Sequence, residues 1–162
     1  MIHRTFLMCF LIASALAFGQ DQKVEPHSRY KLEFVLKQLD HGKVLSTHNF
    51  VMSAESNGST SQVRTGNRIP IDLGGEKGLQ YQDVGFSCDA RINPVGSSNV
   101  GLEIGWELST MPGATGSERV VRQVKGRSTP LAPVGKQTLV GSVDDINSGQ
   151  QFELDVTVTP EQ

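Results

Sequence analysis

The chain has 162 residues, a formal net charge of −2 and a pI of about 6.1. This length fits one domain and is too short for two to be expected. Because Lys and Arg are not in excess, binding to nucleic acid or to an anionic membrane is not expected. The hydrophobic share of 37% is sufficient for a folded core, and the aromatic share of 6% argues against a large aromatic binding platform.

The N-terminus has the three parts of an export signal. Met1–Arg4 is short and positive, Thr5–Leu16 is apolar and uncharged, and Ala17-Phe18-Gly19 fits a small-x-small cleavage site. We therefore predict a helical signal peptide over 1–19. The alternative is an uncleaved anchor, but the apolar run is shorter than the ~20 residues of a membrane span. Cleavage predicts an exported protein without a remaining span, located in the periplasm, at the outer membrane or outside the cell.

The segment after the signal predicts a leader and then strands. Residues 20–29 are polar and aperiodic, as in a flexible leader, and a single β domain is predicted over 30–160. Tyr30–Gln38 alternates apolar and charged residues like a strand, although a helical stripe also fits it. Turn residues divide the next elements. We predict a strand at Val44–Ala54 with Val44, His48, Phe50 and Met52 on one face, a short strand at Ser61–Thr65, a bend at Gly66-Asn67-Arg68, an extended piece at Ile69–Ile71 and a loop over Leu73–Gln80. Pro70 cannot donate to a ladder, which places its segment on an edge or at a bulge.

Two long alternating runs between Tyr81 and Ser109 predict a central hairpin. Each run has one apolar and one polar face, because successive side chains of a strand point to opposite sides. The loop residues Asn93–Ser98 join the two runs. The ten apolar side chains are Val84, Phe86, Cys88, Ala90, Ile92, Val100, Leu102, Ile104, Trp106 and Leu108. We expect Trp106, the largest of them, near the centre of the core.

The remaining chain continues the same rhythm of strands and turns. Thr110–Glu118 is rich in Gly, Pro, Ser and Thr and predicts a mobile loop. Further strands are predicted at Arg119–Ser128, Gln137–Val143 and Gln150–Thr159. Seven or eight short strands without a long helix predict an all-β fold, either an antiparallel sandwich or a barrel-like sheet.

The cysteines and histidines do not predict a reactive or metal-binding site. Cys9 lies in the signal, and Cys88 lies on the apolar face of its strand, where core packing is the better interpretation than a reactive thiol. The histidines His3, His27, His41 and His48 lack the close spacing of a zinc site.

The carboxylates and glycines likewise fit structural roles. Glu103 and Glu107 share a strand face about 13 Å apart, too far for a glycosidase pair, and Asp89 across the hairpin fits a solvated polar face. Asp144–Asn147 offers oxygen ligands for calcium but is better explained as a turn. Asn57-Gly58-Ser59 matches the N-glycosylation acceptor sequence and is also typical of a turn. We therefore predict no catalytic, cofactor-binding or metal-binding residue, no cofactor, and no enzyme activity.

Four motifs, in this order, carry a family resemblance. They are Lys43–Thr47 leading into Asn49-Phe50-Val51, Thr65-Gly66-Asn67-Arg68-Ile69-Pro70, Tyr81–Gly85 followed by Asp89–Ile92, and Gly135–Val140. The chain resembles the C-terminal domain of bacterial secretins, the outer-membrane pore proteins of secretion and pilus systems. The resemblance implies a shared strand plan and an exported setting for a short stand-alone relative. Charged residues on the second strand faces argue against lipid contact.

These observations predict a non-enzymatic β protein of the cell envelope with a structural or protein-binding role, linked to secretion or pilus assembly. We expect a protein partner in the envelope, no nucleic acid partner, and leave homo-oligomerisation open. Two surfaces are the candidates for binding, the Ser61–Ile71 edge and the Thr110–Glu118 loop. The alternatives are a small outer-membrane β-barrel and a secreted carbohydrate-binding or hydrolase sandwich.

Overall fold

A computed structural model of the chain describes residues 28–72, 78–96, 98–111, 121–146 and 148–161. The signal peptide and nearly all of the leader predicted from the sequence therefore lie outside the described residues. Within them the chain forms nine β-strands: β1 Arg29–Asp40, β2 Lys43–Glu55, β3 Ser61–Asp72, β4 Leu79–Val95, β5 Asn99–Thr110, β6 Arg122–Ser128, β7 Leu131–Pro133, β8 Gln137–Asp144 and β9 Gln150–Glu161. The all-β prediction is confirmed.

The strands form two antiparallel sheets that pack face to face. Sheet A has the order β2-β1-β9-β8, and sheet B has the order β3-β4-β5-β6, with the short β7 also paired to β5. The chain passes from sheet A to sheet B between β2 and β3 and returns between β7 and β8. Of the two arrangements predicted from the sequence, the structure is the sandwich.

Alternation of apolar and polar residues explains why β1 is a strand and not a helix. Leu32, Phe34 and Leu36 are fully or almost fully buried, whereas the alternating charged residues Lys31, Glu33 and Lys37 are partly exposed. A helix would place Val35 beside Leu36 and Leu39 on one stripe. In the strand, Val35 instead points to the outer face of sheet A, opposite Asn49 and Asp155.

The core lies between the two inner faces. Its largest fully buried side chains are Phe34, Leu32, Leu36, Ile92, Ile104, Leu154, Val100, Val156, Val158 and Cys88. Trp106 is 4% exposed, as expected for the core, and lies against Gly126 of β6, where an added Cβ would be 2.4 Å from Nε1 of the indole. Phe50 of sheet A stacks on Phe86 of sheet B with ring centroids 4.2 Å apart, which joins the sheets on the side of β2 and β3.

The central hairpin is β4 paired with β5, in the register that opposes Cys88 and Trp106. Its apolar face is buried from Phe86 to Ile92 and from Val100 to Trp106. The strands are longer than the sequence indicated: Asn93, Pro94 and Val95 remain in the ladder, and β5 begins at Asn99. Pro94 is compatible with the ladder because it is the penultimate residue of β4 and lies beyond Ala90, where the pairing with β3 ends.

β3 is a single strand, so the predicted bend at Gly66-Asn67-Arg68 was wrong. Its whole length pairs with β4, with Gly66 directly opposite Gly85. The two backbones approach closely here, since a Cβ on Gly85 would be 2.1 Å from the carbonyl oxygen of Thr65. Gly85 also has φ +150, which L side chains rarely adopt. The glycines that indicated a bend instead allow this close pairing.

Beyond the two glycines, β3 and β4 continue as a projection that we call the arm, formed by Asn67–Asp72 and Leu79–Val84. Most of its described side chains are exposed or half-buried, including Tyr81 at 59% and Leu79 at 63%. The predicted loop Leu73–Gln80 is shorter than expected because β4 begins at Leu79, and residues 73–77 lie outside the described part.

Two other segments differ from their predictions. A register shift between Gln38 and Leu39 turns Val44 out of the core, and Val44 is 49% exposed although it was predicted to share a face with the buried Met52. β6 begins at Arg122 and not at Arg119, and most of the Thr110–Glu118 loop lies outside the described residues.

Candidate functional site

Among the strands that the structure describes, the open edge of β2 is the least protected. β2 is the last strand on one side of sheet A, and it is 13 residues long. From Val44 to Ala54 it contains no Asp, Glu, Lys, Arg, Gly or Pro. Leu45 and Val51 are 50% and 57% exposed along it. Natural sheets blunt such edges with charges, prolines or bulges, because an open ladder accepts another strand. β2 has these devices only near its ends.

The other three edges carry such devices. β3 has Pro70 and Gly66 within its length, so the prediction that this segment is an edge is confirmed. β6 carries three cationic residues, Arg122, Lys125 and Arg127, along its short edge. β8 has a register shift between Leu139 and Gly141. β2 is thus the better candidate for adding a strand. Its signal in the sequence was the uncharged run from Val44 to Ala54, which was interpreted only as a strand.

The outer face of sheet B carries paired charges. Arg64 lies 3.4 Å from Asp89, Arg91 lies 3.7 Å from Glu103, and Lys125 lies 3.0 Å from Glu107. Arg127 also donates a hydrogen bond to Glu103, and this bond holds the pKa of the Glu103 carboxyl below its usual range. Glu103 and Asp89 are therefore ion-pair partners of arginines, which agrees with the solvated polar face predicted for them.

Two shallow grooves lie on this face where glycines replace larger side chains. One, of about 270 Å³, lies over Gly105, and the other, of about 440 Å³, lies over Gly66 and Gly85. Both are open and are lined largely by the paired charges and by polar side chains. Nothing in them brings an acid, a base and a nucleophile together. Their geometry suits contact with water or with a polar surface.

Sheet A has one buried charge on its outer face. Asp155 is 7% exposed, and its Oδ2 accepts hydrogen bonds from Lys37 Nζ at 2.7 Å and from Gln137 Nε2 at 2.9 Å. The hydrogen bond to Asp155 raises the pKa of Lys37. These three residues come from three adjacent strands, β1, β9 and β8. The cluster joins the middle of the sheet to its β8 edge and has a structural role.

The described histidines lie apart from each other. His41 is exposed in the β1–β2 turn with Nδ1 2.7 Å from Asp40, and His48 is exposed on β2. His3 and His27 lie outside the described residues. In the part of the chain that the structure covers, no group of three His, Cys, Asp or Glu side chains is placed to hold a metal ion.

The described residues between Asp144, the last of β8, and Gln150, the first of β9, form a turn, as the sequence favoured. Asp145 Oδ2 accepts a hydrogen bond from Ser148 Oγ at 2.6 Å and lies 3.6 Å from Arg122 of β6. Its carboxylate is therefore engaged by protein groups. Asn147 lies outside the described residues.

Cys88 is a core residue. It is 1% exposed, and burial raises the pKa of its thiol to about 12. A thiol that stays protonated at neutral pH is a poor nucleophile. The core-packing interpretation of Cys88 is confirmed. None of the described residues lies in a helix with the length and apolarity that crossing a membrane requires.

Comparison with known proteins reveals similarity at the level of structure. No protein-family model and no curated protein sequence matches the chain. The InvG secretin domain β-barrel from the Salmonella SPI-1 injectisome superposes with a TM-score of 0.57 at 10% identity, over 84% of this chain and 63% of that one. The chain thus spans less than two thirds of that relative.

Two further solved structures give the same result. The type II secretin GspD from enteropathogenic Escherichia coli has a TM-score of 0.57 at 10% identity, over 85% of this chain and 70% of that one. The Klebsiella pneumoniae type II secretion system outer membrane complex matches with a TM-score of 0.50 at 10% identity, over 84% of this chain and 38% of that one. The resemblance found in the four sequence motifs is confirmed as a likeness of fold, and the described part of this chain has the fold of the secretin β domain.

Proposed function

We propose that the chain is exported to the cell envelope and works there as a non-enzymatic β domain that binds protein, in a process linked to secretion or pilus assembly. The export signal would occupy residues 1–19, the leader 20–29 and the single domain 30–160. The observation that carries the proposal is the open, uncharged edge of β2. A strand of a partner would add to sheet A there through main-chain hydrogen bonds.

The chemistry of the edge indicates what kind of partner fits. Between Val44 and Ala54 no charge of β2 itself would oppose an incoming strand. Val51, Asn49 and Thr47 lie on the outer face of the sheet, where they would contact alternate side chains of that strand. An extended, weakly charged segment of an envelope protein fits, and a second copy of this chain is among the candidates. InvG comes from an injectisome, and GspD and the Klebsiella pneumoniae complex come from type II secretion, which supports this setting.

The test is photo-crosslinking of the full chain in living cells. A photoreactive residue replaces Val51 on the β2 edge in one variant and Leu131 on β7 in the control. These positions are 57% and 56% exposed. We expect Val51 to give an adduct with an envelope protein of a secretion or pilus system, or with a second copy, and Leu131 to give none. Equal adducts at both positions, or no adduct at Val51, would contradict the proposal. Mass spectrometry of the N-terminus tests cleavage of the signal in the same sample.

A further inference from the structure

The segment Ser56–Thr60, which we call the link, joins the two sheets. It contains Asn57, which has no part in the strand addition proposed for β2. Asn57 is exposed, and so are Gly58, Ser59 and Thr60. The link is held at its start by hydrogen bonds between Ser56 and Ser28. Asn57 is also the only asparagine of the sequence followed two residues later by Ser or Thr, without proline between them. This pattern is the acceptor sequence for N-glycosylation.

The contacts of Asn57 leave its reacting atom within reach of solvent. Its Nδ2 donates a hydrogen bond to Glu55 Oε2 at 2.9 Å, and its Oδ1 accepts one from the backbone N–H of Ser59 at 2.8 Å. Glu55 also pairs with Arg29 at 2.8 Å. All of these contacts are on the surface, so they exchange with water at little cost. An acidic residue thus stands two places before the asparagine and a hydroxyl two places after it.

The other described asparagines lie in a different setting. Asn49, Asn67, Asn93 and Asn99 are all in strands, where the backbone is held by a ladder. A transferase must bind the acceptor segment as a short extended peptide, which a strand within a sheet cannot supply without unfolding. The Ser56–Thr60 link lies outside both ladders and follows a free edge.

We propose that Asn57 is an acceptor site for N-glycosylation by an oligosaccharyltransferase that requires an acidic residue two places before the asparagine. The co-reactant is an oligosaccharide carried on a lipid pyrophosphate. Asn57 Nδ2 attacks the anomeric carbon, an N–C bond forms, the C–O bond to the pyrophosphate breaks, and the lipid pyrophosphate leaves with the bonding electrons. One amide proton passes to a base of the transferase. In the cell, the modification rests on the proposed export.

The test uses the purified, folded full chain, a purified transferase of this class, and a synthetic prenyl pyrophosphate carrying one N-acetylhexosamine. We expect a mass gain of that one sugar on the peptide containing Asn57. Asn57→Gln, Ser59→Ala and Glu55→Gln should each lose the gain, and Ser59→Thr should keep it. Because every component is purified, failure of export in the cell does not affect the result.

A matched control separates the sequence motif from its place in the fold. Thr47→Glu combined with Val51→Thr creates the same acceptor pattern around Asn49 in the middle of β2, on side chains that are already exposed. We expect the folded double variant to gain sugar at Asn57 and not at Asn49. An unmodified wild-type chain would overturn the proposal, whether or not a synthetic peptide of residues 53–61 accepts the sugar. Equal modification of Asn49 and Asn57 would overturn the role given to the link.

Discussion

The β4–β5 hairpin and the arm are both pairs of antiparallel strands, and they differ in what covers them. The inner face of the β4–β5 hairpin is buried beneath sheet A, with Ile92 and Ile104 fully inaccessible. In the arm, which shares β4 with that hairpin, Leu79 and Tyr81 are mostly exposed. The boundary is the Gly66–Gly85 pair.

The difference shows that pairing and burial are separate properties of a strand. Both regions are continuously paired, but in the arm β4 has a neighbour on one side only, because its pairing with β5 begins at Gly85. Only the hairpin keeps a strict apolar alternation, from Phe86 to Ile92 and from Val100 to Leu108, and only there does a second sheet remove the apolar face from water. The hydrophobic contribution, about 25 cal/mol per Å² of apolar surface, therefore comes mainly from the hairpin.

The largest expected difference in stability is between the loss of an aromatic ring in the hairpin and the loss of one in the arm. Trp106→Ala should lower the free energy of unfolding by about 3–5 kcal/mol, because it deletes a buried ring from the core. Tyr81→Ala in the arm should cost about 1 kcal/mol or less, since it loses only an exposed ring and its contact with Arg68, whose guanidinium carbon is 5.2 Å from the ring centre. Urea unfolding measures both. Equal losses would show that the arm is as well packed as the hairpin.

The next largest loss of stability is expected from a substitution at the Gly66–Gly85 boundary. Gly85→Ala should cost about 2 kcal/mol or more, because the added Cβ meets the backbone of Thr65 and the new residue must adopt φ +150. Amide hydrogen exchange should report lost protection in both β3 and β4 around the substitution. Gly78→Ala is the control: it also has positive φ, at +63, but has open space around it. If the two variants are equally stable, the close approach at Gly85 has no energetic importance.

A smaller difference in stability is expected inside sheet B between alanine substitutions at two glycines, Gly126 and Gly105. Gly126→Ala should cost about 1–3 kcal/mol and change the fluorescence of Trp106, because its Cβ would overlap the indole. Gly105→Ala should be neutral or slightly stabilising, since nothing lies within 4 Å of its Cβ and alanine restricts the unfolded chain. A neutral Gly126→Ala variant with unchanged fluorescence would contradict the packing of Trp106 against β6.

The smallest effect lies in sheet A, outside both regions. Asp155 raises the pKa of Lys37, so their pair contributes stability that is complete below the ordinary lysine pKa of about 10.4 and is lost as pH rises through the higher folded value. Lys37→Met should cost about 1 kcal/mol near neutral pH and less above that range. Comparing urea midpoints of both proteins at each pH cancels the ionisation of Cys88. A cost that grows with pH would refute the assignment.

The sequence predicted the elements whose cause is local. The alternation from Phe86 to Ile92 and from Val100 to Trp106 identified the core face of the hairpin, and Pro70 identified β3 as an edge, whereas Val84 was expected in the core and is only half-buried. The sequence did not predict that Gly66 and Gly85 lie opposite each other. Each glycine alone looks like a turn residue, and nothing near either one shows that they pair. Val44 was misplaced because the register shift at Gln38 has no residue signature.

The candidate site was only partly predicted, because the pairing of distant strands leaves no local signal in the sequence. Pro70 indicates in the sequence that β3 is an edge, whereas β2 becomes an edge only through the order in which distant strands pair. β1, not β2, takes β9 as its second neighbour, and no pattern within Lys43–Glu55 encodes that choice. Only the sheet order shows that the uncharged run from Val44 to Ala54 is an open edge.

The position of β9 has a consequence for how the protein is made. β9 lies between β1 and β8, and its pairing with β1 runs from Arg29 opposite Glu161 to Asp40 opposite Gln150. Sheet A therefore cannot be completed until the last described strand has left the ribosome. Until then Leu32, Phe34 and Leu36 lack their neighbours Val158, Val156 and Leu154 on the inner face, a state that favours chaperone binding and slow, post-synthetic folding.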